Sequence, residues 1–170
     1  MKPIWILLTA AMLFFFQGVN AYSTTEPSNE EDWSVKCSSD QCQVYAEIRL
    51  ENGALVNSIM FRKLEADVYA AIIKLPLGIH IPSGIQIGID DDALFDAKLI
   101  TCQPDGCEAA FNANKAIVSF LKRGKAMSIV VTKTNDRKKL ALNYSLIGFT
   151  RNWEEFTKRM AVLLPDETTG

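Results

Sequence analysis

The four cysteines are the residues of this 170-residue chain whose types and spacing could most readily do chemistry. They form two brackets with the same four-residue gap, Cys37 to Cys42 and Cys102 to Cys107. Redox-active pairs usually have two intervening residues and lie at the start of a helix, which stabilises the thiolate. The wider gap is also unusual for zinc sites, and the single histidine adds little to a ligand set. We therefore predict that the cysteines form structural disulfides.

A turn lies between the second pair of cysteines. In Pro104-Asp105-Gly106, proline pre-sets a turn φ and glycine accepts the positive φ that closes the turn. Two antiparallel strands joined there would place Cys102 opposite Cys107, within the reach of a disulfide. The turn therefore favours the local bridge.

Four cysteines still allow three connectivities. A Cys37–Cys102 bridge would imitate the core bridge of an immunoglobulin domain, which packs against a tryptophan between its two cysteines. The tryptophans of this chain all lie outside that interval, at Trp5, Trp33 and Trp153. The two local pairs are therefore preferred over the long-range bridge.

His80 and an aspartate run are the other candidates for chemistry. His80 alternates with isoleucines that would point the other way in a strand, so its ring is expected to face solvent, and no G-x-S-x-G motif accompanies it. Asp90-Asp91-Asp92 with Asp96 could offer oxygen ligands to calcium, but strand neighbours point to opposite faces and EF-hand spacing is absent. We predict no catalytic residue, no metal site and no cofactor.

Basic residues are concentrated in the C-terminal part of the chain. Residues 22–111 carry 6 basic and 15 acidic side chains, net −9, whereas residues 112–170 carry 11 and 5, net +6. Anionic lipid head groups or acidic glycans would suit a basic patch here, whereas the lack of interleaved aromatic residues argues against nucleic acid. An ordinary solubilising surface is the alternative. The predicted patch comprises Lys122, Arg123, Lys125, Lys133, Arg137, Lys138 and Lys139.

The N-terminal segment is typical of a secretory signal. Lys2 supplies the positive charge, residues 4–16 form an apolar run of 13, and Val19-Asn20-Ala21 has small residues at the positions a signal peptidase reads. The run is too short for a comfortable membrane span, although an uncleaved anchor helix is the alternative. We predict a signal peptide over residues 1–21, a disordered acidic leader over 22–32, and no membrane span after cleavage. Export would place the cysteines in an oxidising compartment.

The elements that must position these residues follow from hydrophobic periodicity. Alternation predicts short strands over residues 33–37, 42–50, 55–64, 68–75, 79–89 with an interruption at Pro82-Ser83-Gly84, 97–102, 107–111, 127–132 and 140–149. Helical spacing predicts a short helix over 112–123, capped by Asn112 and ended by Gly124. A C-terminal helix is predicted from Asn152, with Asn152 and Glu155 as a capping box.

The C-terminal helix would carry an apolar stripe of Trp153, Phe156, Met160 and Leu163 or Leu164. We expect this stripe to seal the core of the domain, with partner docking as the alternative. Regularly spaced strands with two helices predict an all-β, mainly antiparallel domain over residues 33–164, arranged as a β-sandwich. Residues 165–170 would form a short tail.

Five motifs occur in a fixed order along this domain. They are Trp33-x-Val-x-Cys37-x4-Cys42, Leu75-Pro76-Leu77-Gly78, Gly84-Ile-x-Ile-x-Ile-Asp90, Cys102-x4-Cys107 and Tyr144-Ser145-Leu146-x-Gly148-Phe149. The ordered set resembles the invasion-associated locus B family of Gram-negative bacteria and covers about Trp33 to Phe149. The resemblance implies an immunoglobulin-like β-sandwich exported to the periplasm or outer envelope, or secreted, and in some members an association with host-cell entry. The helix after Phe149 departs from the shorter, alanine-rich ending expected of the family.

Together these features predict a non-enzymatic exported envelope protein that acts as a binding or interaction module, linked to host-cell invasion. Its expected partner is an envelope or host protein, with anionic lipid or glycan as a ligand of the basic patch and no nucleic acid. The alternative is a periplasmic accessory or chaperone-like factor that adds a client strand to an exposed sheet edge.

Overall fold

The computed structural model of the protein describes residues 33–65, 68–90 and 93–163. The predicted signal peptide, leader and tail lie outside these residues. Within them the strands are β1 Ser34–Cys37, β2 Cys42–Arg49, β3 Leu55–Glu65, β4 Val68–Leu75, β5 Ile85–Ile89, β6 Ala93–Gln103, β7 Gly106–Asn112, β8 Ala126–Thr132 and β9 Lys139–Ser145. The helices are a short 3-10 turn Ile81–Ser83, α1 Lys115–Arg123 and α2 Phe149–Leu163.

The strands form one antiparallel sheet in the order β1-β2-β3-β4-β7-β6-β5-β8-β9. The long strand β6 joins the two halves of the sheet, because it changes its pairing partner midway along its length. Ala97 pairs with Ile85 of β5, and the next residue, Lys98, pairs with Ala110 of β7. A bulge between Leu99 and Thr101 follows this change. Such a strand lets a sheet bend without breaking its ladder.

The sheet curls until its two edge strands approach each other. The indole Nε1 of Trp33, directly before β1, donates to the carbonyl oxygen of Ser145 at the end of β9, at 2.7 Å. The hydroxyl of Tyr144 in β9 donates to Oδ1 of buried Asn57 in β3. The mainly antiparallel β prediction with two helices is confirmed. The immunoglobulin-like sandwich of two separate sheets is not confirmed, because the strands form a single curled sheet.

Helix α2 packs into the concave side of the sheet. Trp153, Phe156 and Met160 are at most 4% exposed, so these three residues of the predicted stripe seal the core. Leu163 is 37% exposed and does not extend the stripe, and Leu164 lies outside the described residues. The Trp153 ring lies 5.7 Å from that of Phe61 on β3, and the Phe156 ring lies 6.0 Å from that of Tyr69 on β4. Rings at these spacings add edge-to-face attraction to the burial of apolar area.

Both predicted N-terminal helix caps are wrong, whereas Gly124 ends α1 as predicted. Asn112 lies in β7, where it pairs with Ala70, and the cap of α1 is Asn114, whose Oδ1 accepts from the backbone N–H of Ile117 at 3.0 Å. Helix α2 begins at Phe149, so Asn152 lies inside it and is buried. The Gly148 carbonyl accepts from both the backbone N–H and the side-chain amide of Asn152, at 3.0 and 2.9 Å.

Candidate interaction surfaces

The first disulfide joins β1 to β2 at the edge of the sheet. Cys37 and Cys42 are cross-strand partners and are bonded, which confirms the local pairing. Cys42 is buried and Cys37 is exposed. Helix α2 passes close by, since the Met160 Sδ accepts from the Cys42 backbone N–H at 3.2 Å and the Arg159 Nη1 lies 3.7 Å from the Cys37 Sγ. The bridge thus lies between the first strands and the end of the last helix.

A groove of about 490 Å³ opens between this disulfide and the last turns of α2. We call it the α2 groove. Two apolar side chains at its mouth are exposed, Val162 by 78% and Leu163 by 37%. Single exposed apolar residues are common, but here they flank a concave surface with a disulfide as its wall. The groove is lined by Cys37, Ser38, Cys42, Glu155, Lys158, Arg159, Val162 and Leu163.

The charge of the α2 groove is positive. Arg159 pairs with Glu155 one helical turn away, Nη2 to Oε1 at 2.5 Å. Lys158 is exposed and has no ion-pair partner among the described residues. Two cations against one carboxylate leave an excess of positive charge beside apolar surface. Such a surface suits a ligand with carboxylates and an apolar side chain.

Sequence reasoning missed this groove. It placed Trp153, Phe156 and Met160 of α2 correctly in the core, but it assigned Leu163 to the same stripe and gave no role to Lys158, Arg159 or Val162. One signal was available, because Val162 is an apolar residue off the stripe of a helix whose other outward positions are mostly polar or charged. The disulfide on the other side of the groove is brought there by tertiary packing, which local periodicity does not report.

The second disulfide closes the β6–β7 hairpin. Cys102 and Cys107 are cross-strand partners and are bonded, again as predicted. Gly106 has φ 140°, and a Cβ there would lie 2.6 Å from the carbonyl oxygen of Leu75, so only glycine fits. The turn carboxylate of Asp105 pairs with Lys74 of β4 at 2.5 Å. That hydrogen bond from Lys74 holds the pKa of Asp105 below its ordinary value.

His80 does not form a catalytic triad. Its Nδ1 lies 2.7 Å from the Ser83 hydroxyl, while its Nε2 accepts from the Arg137 guanidinium. Because an arginine guanidinium only donates, Nε2 is the acceptor in the contact with Arg137, and Nδ1 is the ring nitrogen that faces Ser83. A triad needs a different arrangement, in which histidine accepts the serine proton and a carboxylate orients the ring. The contact is a hydrogen bond between the 3-10 turn and the β8–β9 turn.

The Asp90 carboxylate makes structural hydrogen bonds to the backbone. Its two carboxylate oxygens accept from the backbone N–H groups of Lys125 and Ala126, both at 2.9 Å. Asp96 lies further along β6, paired with Gln86, and is exposed. Asp91 and Asp92 lie outside the described residues. Within the described ranges, no three His, Cys, Asp or Glu side chains are grouped to hold a metal.

The predicted basic patch is divided into two groups. Lys122, Arg123 and Lys125 lie before β8, whereas Lys133, Arg137, Lys138 and Lys139 lie after it. A seven-residue strand separates the groups by about 20 Å. Lys133 pairs with Asp136 at 3.0 Å, and Lys122 lies 4.0 Å from Glu154. The residues therefore do not converge on one ligand-sized surface.

β9 lies at one end of the sheet among the described strands. β9 is the last strand in the sheet order, and it pairs with β8 alone among the described strands. At the end of β9, the Ser145 carbonyl oxygen accepts a hydrogen bond from the Trp33 indole. None of the helices in the described part of the chain is long and apolar enough to cross a membrane.

Comparison with known proteins identifies relatives over most of the chain. The family model described as Invasion associated locus B (IalB) protein matches residues 28–157. Two proteins of Brucella abortus, from strain 2308 and from biovar 1 strain 9-941, are named invasion protein B homologues. Each is 26% identical over 132 residues, covering 75% of this chain and 76% of the relative.

A solved structure has the same fold. The crystal structure of invasion associated protein B from Bartonella henselae aligns with a TM-score of 0.68 and 22% identity, over 75% of this chain and 93% of that one. This likeness extends to the curled antiparallel sheet and bears on fold alone.

Proposed function

This chain belongs to the invasion associated locus B family, and we propose that it is an exported envelope protein that acts as an interaction module and carries out no reaction. Its relatives are named for invasion rather than for a chemical activity. The described residues contribute no triad and no grouped metal ligands. Both cysteine pairs are bonded, which supports an oxidising compartment such as the periplasm or outer envelope of a Gram-negative bacterium. A role in host-cell invasion would follow from the partner it binds.

The observation that carries the proposal is the α2 groove. It combines exposed Val162, a disulfide wall, and Lys158, for which the described residues offer no ion-pair partner. A surface already held in shape loses little entropy on binding. Its occupant would be a segment of an envelope or host protein bearing an apolar anchor and carboxylates. Apolar contact supplies affinity, and charge selects the partner.

The test asks whether the protein captures a partner from envelope material and whether that capture depends on the α2 groove. The immobilised protein is crosslinked to a solubilised envelope fraction, and wild type is compared with Lys158→Glu and Val162→Glu. Lys139→Glu, which changes an exposed lysine at the far end of β9, is the control. We expect one stable partner, lost in both groove variants and kept in the control. Equal recovery with all four proteins would contradict the assignment of the groove.

Strand addition at β9 is the second candidate function, favoured by the position of β9 as the last of the described strands in the sheet order. An accessory factor of this kind would bind many unfolded clients through backbone hydrogen bonds. Strand addition would be supported over the groove if many unrelated proteins were recovered. Their recovery should be unchanged by Val162→Glu and abolished by Ala141→Pro in β9.

A further inference from the structure

The outer face of β6 carries four exposed side chains in a self-complementary order. Leu94, Asp96, Lys98 and Ile100 are all exposed, the two apolar residues by 72% and 60%. Alternation along the strand places them on the convex side, opposite Phe95, Ala97 and Leu99, which turn toward the core. The order is apolar, acid, base, apolar.

We propose that this row is the contact surface for a second copy of the chain, arranged about a two-fold axis over Ala97. Stacking two copies of β6 face to face and antiparallel brings Leu94 against Ile100 of the other copy. The same operation brings Asp96 against Lys98 twice, once on each side of the axis. An isologous interface requires this kind of self-complementarity.

The charges select the antiparallel arrangement. In a parallel stack about an axis along the strand, Asp96 would face Asp96 and Lys98 would face Lys98, and like charges in register repel. Neither side chain has an ion-pair partner among the described residues. Both are therefore available to the other copy.

The surroundings of β6 allow a second sheet to approach. Leu94 pairs with Gly88 of β5 and Lys98 with Ala110 of β7, so small residues lie beside the row at these two positions, while Asp96 pairs with Gln86 of β5. Beside it runs a shallow cavity of about 430 Å³, lined in part by Leu64, Val68 and Ala70. Leu64 is 60% exposed, which extends the apolar surface. The row is short, so the dimer is weak and forms at high local concentration. It does not depend on the α2 groove.

Sedimentation over a micromolar to submillimolar range tests this inference on the protein purified from cells expressing the full chain. Asp96→Lys gives a row with two lysines, and Lys98→Asp gives a row with two aspartates. Each variant alone should associate about tenfold more weakly than wild type, because two attractive pairs become repulsive. Mixing the two variants should restore association, since every lysine then faces an aspartate.

Leu94→Arg should also abolish dimerisation, whereas Leu77→Arg, at a leucine that is 56% exposed on the loop after β4 and is not part of the row, should not. Circular dichroism of each variant checks that the fold is kept. A wild-type protein that stays monomeric at all concentrations would overturn the proposal. So would single variants that associate like wild type, or a mixture that associates no better than its components.

Discussion

Trp33 and Ser145 join the beginning and the end of the sheet. The Trp33 indole donates to the Ser145 carbonyl at 2.7 Å across 112 residues of sequence, and its ring is 3% exposed. The same ring lies 4.9 Å from that of Phe149, at the start of α2. One side chain thus connects the first strand, the last strand and the last helix.

Replacing Trp33 with phenylalanine should therefore weaken the whole fold. The change removes ring volume and leaves the buried Ser145 carbonyl without its donor, at a combined cost of about 3 kcal/mol in the free energy of unfolding. Urea unfolding followed by circular dichroism measures this cost. Trp153→Phe, in the same core, is the control, and it should cost about 1–2 kcal/mol less because it breaks no link between the sheet edges. Equal losses in both variants would argue against the closing role of Trp33.

The Tyr144→Phe variant should show how much the buried hydrogen bond to Asn57 contributes to the free energy of unfolding. The tyrosine hydroxyl donates to the Asn57 carboxamide oxygen, which loses that donor in the variant, at a cost of about 1–3 kcal/mol. Tyr45→Phe is the matched control, since its hydroxyl bonds to Glu47 on the outer face and surface changes usually lie within about 0.5 kcal/mol. A double-mutant cycle with Asn57→Ala should show coupling between positions 57 and 144, and additive losses would count against the contact.

Features that depend on residues close together in sequence were predicted better than features that depend on long-range packing. The turn at Pro104-Asp105-Gly106 and both disulfides follow from residue types within a few positions of each other, and they are confirmed. The two predicted N-terminal helix caps were wrong because tertiary contacts decide where those helices begin. Asn112 is held in the sheet by Ala70, and Phe149 begins α2 because its ring packs against those of Trp33 and Phe61.

The curl of the sheet and the α2 groove depend on residues far apart in sequence. β6 begins at Ala93, earlier than the pattern indicated, because Asp90 turns the chain by accepting from the N–H groups of Lys125 and Ala126. The basic residues lie close in sequence but fall at opposite ends of β8. Strand geometry, rather than composition, decides which charges can act together.

Acid should destabilise the fold through its paired carboxylates. Hydrogen bonds from Lys74 to Asp105, from Lys133 to Asp136 and from Arg49 to Glu47 hold the pKa of each carboxyl below its ordinary value. A depressed folded-state pKa stabilises the protein above the unfolded value, and this contribution is lost as pH falls through the folded value. The free energy of unfolding should therefore be nearly constant from about pH 5 to 7 and fall below about pH 4.

In the Asp105→Asn variant, the free energy of unfolding should fall less steeply as the pH is lowered below about 4. Urea titrations at several pH values measure the slope for wild type and variant. Stability that rises on acidification, or an unchanged slope in the variant, would contradict the assignment of the carboxylate pairs.

The second disulfide should stabilise the hairpin only modestly. Converting Cys102 and Cys107 together to alanine removes a short closed loop, for which chain entropy predicts a loss of about 2 kcal/mol. Thermal unfolding of the double variant measures this, with mass mapping of the non-reduced protein to verify that the Cys37–Cys42 bridge remains. A double variant that fails to fold would show that the bridge does more than restrict the unfolded chain.

Site-specific photo-crosslinking in living cells tests the interaction module most directly. A photoreactive residue replaces Val162 in the α2 groove, Leu77 on a distant loop, or Ala141 in β9, one at a time. The account predicts a discrete crosslinked product from position 162, abolished by adding Lys158→Glu, with no product from position 77. No product from position 162, together with a product from position 141 or 77, would contradict it.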